Sequence, residues 1–571
     1  MHELTTADET RLRKLRGNVP VNAVLHVWLK AVHPHAPAEL RLSLNDNVFG
    51  NVYVQNSEEY EFRMFFVPHG GELECAYDPE TTTISVAYWF TDAKVLEEGI
   101  TVLRTHAANA PAPAPGSYHF RPPFGWMNDP NGFGRFNGSA HLFYQHYSHG
   151  LKWNTMHWGH AVSEDFLHWR HLPIFLFPSE ELTAKPDKRG GAFSGSAIPL
   201  ENSAGVRVFF TESVIERDPE REIQMVATSQ SLIFAGAAKP LIDKRPELEG
   251  LTLDFRDPYV FRGPDGYWKM LLGSRKGEEG VVLLYQTADV TAAGGWEFVS
   301  VLHSEGRFNT QVIECPCLLP LDGPAGDPST HWVLICGLMH SHHEETGRKN
   351  LTTATVGKFD GTTFTPHFEQ ELDFVTDNYA FQAFLDQGTP VGIGWLANWA
   401  DAAPEIDFPT AMTLPRNLVY DAADDTLLTP PIEGVESLRD HLVDETALAA
   451  GELVSLETGQ AEIVIDLDGP SFELDLYHNN IEIVITLDEE GLSLVYRDDA
   501  ENPTPRYIAP GAKPSHIRVF LDIGSVEVFA DNGRWTGTKR IAGFDPIHSM
   551  RLRHGDVRSA KVWALSLYSG G

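Results

Sequence analysis

The segment WMNDPNG (126–132) decides how the long middle of this chain is read. Asp129, set between Asn128 and Pro130-Asn131-Gly132, marks a tight and rigid bend, because Pro fixes φ and Gly admits conformations closed to other residues. Four landmarks follow it at steps of 57 to 65 residues: Ser194 in FSGS, Asp257 in FRDP, Glu314 in IECP and Asp377 in VTDNYAFQ. Their regular spacing predicts five copies of one supersecondary unit. SEDFLHW (163–169) and TADVTAAGGWEF (287–298) read as one outer-strand element seen twice. Each unit is expected to be a four-stranded blade, and the landmarks then converge on the central channel of a five-bladed β-propeller.

Outward from this region the same strand signature continues. Toward the N-terminus, Leu40, Leu42 and Leu44 alternate with polar residues, as do Tyr60, Phe62 and Met64, and Ile84, Val86 and Tyr88. This period-2 pattern predicts half-buried antiparallel strands. The stretch ANAPAPAPGS (108–117) breaks the pattern as a Pro-rich linker does. Toward the C-terminus, 472–476, 481–485 and 517–521 alternate again, and Asp531-Asn532-Gly533 marks a turn after 526–529. The whole is expected to be all-β. A small N-terminal β domain over 1–112 and the linker, of which 113–117 is part, lead to a propeller over 118–440. A β-sandwich over 445–571 ends the chain, with a short connecting helix somewhere in 433–450.

Composition sets the limits. The 571 residues carry 44 Lys+Arg against 79 Asp+Glu, a formal net charge of −35, which argues against nucleic acid as a partner. No apolar run approaches the roughly 18–20 residues of a membrane-spanning helix, so no membrane partner is expected. A hydrophobic content of 42% excludes disorder. Four cysteines are far too few for a disulfide-stapled secreted domain. With no apolar signal stretch after the N-terminal residues, a cytoplasmic location is the default. Cys315-Pro316-Cys317 lacks a second ligand pair at zinc spacing and reads as packed thiols, and His340-Ser341-His342-His343-Glu344-Glu345 reads as a solvated loop. His157 and His160 read as structural hydrogen-bonders. No metal or organic cofactor is expected.

Three carboxylates stand in distinctive settings. Glu314 follows the apolar run Gln311-Val312-Ile313, Asp129 sits in an Asn-rich bend, and Asp257 lies between Arg256 and Pro258. Cleaving a glycosidic bond takes one carboxyl to protonate the leaving oxygen and a second to attack the anomeric carbon. Burial beside another carboxylate raises a Glu toward the value a general acid needs. The apolar setting of Glu314 suits that acid, and the polar bend of Asp129 suits an ionised nucleophile. Each alone is an ordinary turn or surface residue; a shared channel is what makes them a set.

WMNDPNG (126–132), FSGSA (193–197), FRDP (255–258) and ECP (314–316), in this order, resemble glycoside hydrolase family 32, the invertases, inulinases and levanases. FYQHY (143–147), MHWGHAVSEDFLHW (156–169), GWLANW (394–399), MTLPR (412–416) and VEVFADNG (526–533) extend the likeness over about 118–571. The resemblance implies a propeller followed by a sandwich, and a retaining β-fructofuranosidase releasing terminal β-D-fructofuranosyl units from sucrose or short fructo-oligosaccharides. A fructosyltransferase and a non-catalytic fructan-binding protein are the alternatives. It further implies Asp129 as nucleophile, Glu314 as acid/base and Asp257 as transition-state stabiliser. Asn128, Gln145, Trp153, Phe193, Ser194, Arg256 and Tyr379 are the implied sugar contacts, with Trp395 and Trp399 either lining the pocket or packing in the core. The chain departs from the family pattern at Cys317, where an Asp is usual, a change that puts the hydrogen bonding near Glu314 in question. It departs again at Trp153-Asn154-Thr155, where Trp-Gly is common, in a loop expected to face the leaving group. Residues 1–112 lie outside the resemblance; a carbohydrate-binding module, a lid over the pocket and a homo-oligomer contact are the roles open to them.

Overall fold

The structure is a computed structural model describing residues 11–105, 117–183, 189–201, 203–215, 217, 220–292, 294–400, 411–478, 481–497, 506–541 and 546–566. All of the linker stretch but Ser117 lies outside these residues. Strands dominate, and the described α-helices are single turns, Val95–Glu98 and Glu180–Thr183. None is long and apolar enough to cross a membrane.

Five antiparallel sheets follow one another along the middle of the chain. Blade I runs outward from Trp126–Phe136 through Ser139–Tyr147 and His157–Ser163 to Trp169–His171. Blade II starts at Gly190–Pro199, blade III at Leu251–Arg262 and blade IV at Val312–Pro320, each with four strands. In blade V, Tyr379–Asp386 pairs with Thr389–Leu396, whose far edge takes two short strands, Ala411–Met412 and Arg416–Asn417. Each of the five inner strands contacts the next, and that of blade V contacts that of blade I, so the ring is closed. Closure leaves no inner edge exposed. The segments 163–169 and 287–298, read from sequence as equivalents, both join the third strand of a blade to its fourth.

The five inner strands share one irregularity at one level. Between Met127 and Pro130 two residues, Asn128 and Asp129, oppose a single partner, Gln145. The same two-against-one arrangement recurs at Phe193-Ser194 opposite Thr211, Asp257-Pro258 opposite Leu272, Cys315-Pro316 opposite Cys336, and Ala380-Phe381 opposite Gly394. These are β-bulges, which bend a strand and re-aim its side chains. Asp257, Cys315 and Ala380 adopt positive φ there, at 64°, 48° and 52°, conformations that cost a non-glycine residue on the order of 1–2 kcal/mol each. One landmark departs from the expected convergence on the channel. Asp377 is fully buried and bonded to Lys539 Nζ (2.8 Å) and the Arg540 amide (2.7 Å), so it anchors the C-terminal sheets rather than facing the channel.

Residues 13–105 form two four-stranded sheets: Arg13–Val19, Gly71–Tyr77, Ala38–Leu44 and Asn47–Val54 in one, and Glu61–Phe66, Val24–Ala31, Thr82–Phe90 and Thr101–Thr105 in the other. Thr82–Phe90, where the alternation of Ile84, Val86 and Tyr88 suggested a half-buried strand, is buried on both faces, and so is its neighbour Val24–Ala31. One face meets the other N-terminal sheet through Leu25, Val27, Leu29, Ile84 and Ala87. The opposite face, with Val24, Trp28, Val86, Tyr88 and Phe90, packs on Phe124, Val162, Leu172 and Ile174 of the propeller.

At the other end, a short 3-10 helix, Val435–Leu438, precedes Arg439–Asp444, which already pairs with the last strand, Ser549–Leu565. That strand and Ala461–His478 are long enough to serve both layers of a sandwich. Residues 461–466 pair with His516–Asp522, and residues 472–478 pair with Ile481–Leu487, with the ladder interrupted between. The turn at Asp531-Asn532-Gly533 joins Ser525–Ala530 to Trp535–Arg540, all three residues at positive φ. Phe520 and Phe529 insert between propeller residues such as Met127, Leu142 and Ile393. His340–His342, read as loop, instead extend the second strand of blade IV, and His343 stacks on Phe308.

Candidate active site

The bulges carry the chemistry. Asp129 Oδ2 accepts from Ser194 Oγ at 2.6 Å, and its Oδ1 accepts from Asn128 Nδ2 at 3.0 Å. Asn128 is itself fixed by Trp126 Nε1 (2.8 Å). Asp257 is held from both sides. Its amide donates to Thr211 Oγ1 (3.0 Å), and its Oδ2 accepts from the Cys315 amide (2.8 Å). The thiol of Cys315 then lies between two acids, 3.5 Å from Asp129 Oδ2 and 3.6 Å from Asp257 Oδ2. Glu314 is next in the chain, with Oε1 accepting from Arg256 (3.0 Å) and Oε2 from the Tyr379 hydroxyl (3.0 Å). Residues from blades I to V therefore meet at one end of the channel.

Burial raises all three carboxyls above their ordinary range. For Asp129 it is opposed by the donors Ser194, Asn128 and Cys315. Asp257 is pushed up by burial and then by the charge of Glu314. Glu314 is pushed up by burial, with Arg256 pulling against it and Asp129 adding to it. Close carboxylates cannot all ionise readily, so the cluster retains protons at pH values where isolated carboxyls have lost them.

Each residue implied by the resemblance has a definite place. Arg256 does not pair with its neighbour Asp257; it bridges Glu314, Glu222 (3.0 Å) and Asp254 (2.5 Å). Gln145 is buried, its Nε2 donating to the Ala192 carbonyl (2.8 Å). Tyr379 is fully buried, with its hydroxyl committed to Glu314. Trp153 stands edge-to-face with Phe193, ring centroids 6.0 Å apart. Both, with Trp399, pack on a set that contains Trp126, Tyr147, Cys315, Tyr379 and Trp395. Trp395 is fully buried, whereas Trp399 is half-buried and stacks on Trp126 at 6.0 Å.

Sequence reasoning missed Cys315, whose motif read as two packed thiols. The bulge separates the pair: Cys315 turns toward the acids, while Cys317 sits in the apolar core with its Sγ toward the Phe381 carbonyl. The departure at Cys317 therefore falls in the core rather than beside Glu314. Glu222, Asp254 and Thr211, which hold Arg256 and Asp257 in place, carried no signal in their own segments. His157 and His160 are bonded, His157 to the Thr155 carbonyl (3.0 Å) and His160 to His141 (2.9 Å).

A propeller with acids gathered at one end of its channel, and a sandwich against it, defines a class that comparison with known proteins makes specific. The family model "Glycosyl hydrolases family 32 N-terminal domain" matches residues 119–431, and the chain belongs to this family of glycosidases. It is 30% identical to a sucrose-6-phosphate hydrolase of Escherichia coli over 74% of this chain and 88% of the relative. It is likewise 30% identical to a raffinose invertase of Escherichia coli, over 79% and 94%. The structure of a family 32 glycoside hydrolase from Bifidobacterium adolescentis superposes with a TM-score of 0.83 at 21% identity, covering 97% of this chain and 99% of that one. The last likeness includes the N-terminal sheets.

Proposed function

We propose that the protein hydrolyses terminal β-D-fructofuranosyl residues of sucrose and short fructo-oligosaccharides by double displacement with retention. The observation that carries this reading is the cluster of three carboxyls, Asp257 buried and Asp129 and Glu314 half-buried, two of them touching one thiol and the third beside it on an Arg–Tyr clamp. The names of the relatives, a sucrose-6-phosphate hydrolase and a raffinose invertase, support the substrate class.

Asp129 is the nucleophile, because two side-chain donors, Ser194 and Asn128, favour its ionised form. Its oxygen bonds the anomeric carbon as the glycosidic C–O bond breaks, and the leaving oxygen takes the proton of Glu314. Arg256 and Tyr379 then stabilise the carboxylate left on Glu314. In the second step Glu314 takes a proton from water, and the water oxygen displaces Asp129 from the sugar. Asp257 accepts hydrogen bonds from the ring hydroxyls and, in its ionised form, balances the positive charge that builds on the ring. Asn128, Gln145, Trp153, Phe193, Ser194, Arg256 and Tyr379 shape the pocket, polar groups meeting hydroxyls and rings covering apolar faces. Neither step calls for a metal or an organic cofactor.

Incubation with sucrose, with glucose, fructose and oligosaccharides quantified over time, tests the reading. Equal glucose and fructose are expected, and excess glucose with new oligomers points to transfer instead. Asp129→Ala and Glu314→Ala should each lower kcat by about 10³-fold or more with the fold retained, and near-normal turnover by the Asp129 variant would overturn the nucleophile assignment.

A further inference from the structure

The N-terminal unit reaches the mouth of the pocket through one short, well-fixed segment. Residues 55–60 join two of its strands. Asn56 Oδ1 accepts from the amides of Glu58 (2.9 Å) and Glu59 (3.0 Å), and the Asn56 carbonyl accepts from the Ala31 amide (2.8 Å). Lys30 Nζ donates to the Glu58 carbonyl (3.1 Å). Two bonds then tie the segment to the propeller: the Tyr60 amide donates to the His149 carbonyl (3.0 Å), and His149 Nδ1 donates to the Tyr60 carbonyl (2.6 Å). From this support Glu59 Oε1 accepts from Asn154 Nδ2 at 2.9 Å, and the same nitrogen lies 3.4 Å from the Tyr147 hydroxyl.

Asn154 follows Trp153, and the two flank the pocket at its rim. Trp153, Asn154 and Thr155 are half-exposed, whereas Asn128 and Ser194, deeper at the level of the bulges, are buried. A terminal fructosyl unit bound against Asp129 fills the deep end, so the remainder of the substrate passes the rim where Glu59 stands. A carboxylate offers about four acceptor positions, of which Asn154 uses one and the Tyr147 hydroxyl another. It suits sugar hydroxyls and repels a second anion. Lys30, bonded to the Glu58 carbonyl, is close enough to act on the charge of Glu59, whereas the arginine of the cluster is already surrounded by Glu314, Glu222 and Asp254.

Building on the fructosidase reading, we propose that Glu59, carried by the N-terminal unit, is a specificity-determining residue that accepts hydroxyls of a neutral leaving group and excludes one bearing a phosphate. The test measures kcat/KM of the full-length protein, Glu59→Gln and Glu59→Lys on sucrose and on sucrose 6-phosphate. Methyl β-D-fructofuranoside, whose leaving group is too small to reach the rim, reports that the catalytic end is assembled. The unaltered protein is expected to favour sucrose by at least about tenfold. Glu59→Gln narrows that preference by about tenfold, chiefly through KM, and Glu59→Lys narrows it further. Lys152, exposed on the same rim loop, supplies the opposing case. If the unaltered protein turns over sucrose 6-phosphate as well as sucrose, that cation governs the rim and the proposal fails. It fails equally if all three proteins share one preference while the methyl fructoside is still cleaved. Absence of turnover on every β-fructoside overturns the fructosidase reading and this proposal together.

Discussion

At the scale of single residues, the proton on Glu314 is the most exposed point of the proposed mechanism. Burial holds its pKa above the ordinary carboxyl range, while Arg256 and Tyr379 pull it down by donating to the ionised form. Tyr379→Phe removes one of those donors and no charge. The acid form then persists to higher pH, so the alkaline limb of the kcat/KM profile moves up. Turnover at neutral pH falls by roughly 10- to 100-fold, as the carboxylate left after proton transfer loses a hydrogen bond. An alkaline limb that stays in place, or moves down, contradicts the assigned role. The acid limb belongs to Asp129, which must be ionised and whose pKa burial also raises. It should therefore stay where it is in this variant.

At the scale of elements, the five bulges explain which features were legible in the sequence. Period-2 patterning and the spacing of the landmarks were enough for blades and channel, because both follow from side-chain direction and chain length. The choice of landmark was less sound. Asp129 and Ser194 are second bulge residues, Asp257 is a first, Glu314 precedes its bulge and Asp377 lies three residues before one. The repeating unit is a backbone event, and no residue type announces it at all five places. Burial on both faces of Val24–Ala31 and Thr82–Phe90 was hidden for a different reason: it depends on what a neighbouring unit covers, which alternation within a strand does not encode. The bulges also make a prediction. Ala380 is fully buried at a φ of 52°, next to Tyr379. Ala380→Val places a β-branched residue in that conformation with no room for it, and should cost roughly 2–4 kcal/mol in denaturant unfolding and lower turnover as well. Ala380→Gly should keep activity. A Val variant as stable as the parent would show that the bulge is not strained.

At the scale of the whole molecule, the sandwich is fastened to the propeller through buried charge. His119, with no exposed side chain, lies between Asp522 Oδ2 and Glu527 Oε1, each 2.8 Å away. With acceptors on both sides its two ring nitrogens both donate, which makes it an imidazolium. Burial opposes that charge, but the two carboxylates prevail and its pKa is raised. A raised folded value stabilises the fold fully below the unfolded pKa of about 6.5 and ceases to do so as pH rises through the folded value. Thermal unfolding should therefore move to lower temperature on the alkaline side of neutrality, and His119→Asn should flatten that dependence while lowering stability throughout. An unchanged alkaline slope in the variant would place the titrating group elsewhere.

The level shared by the five bulges has one further consequence. Each inner strand absorbs its extra residue at the mouth of the channel, and four of the five resume regular pairing below it, blade I alone taking a second bulge at Gly132-Phe133 opposite Leu142, so most of the floor of the ring does not register what stands at the top. The fold thus behaves as a turret with five interchangeable seats. Where a seat's side chain faces the pocket, unlike that of buried Ala380, it can be exchanged with little effect on the rungs beneath it, and new chemistry can be tried at the rim while the walls that bear the load stay unaltered.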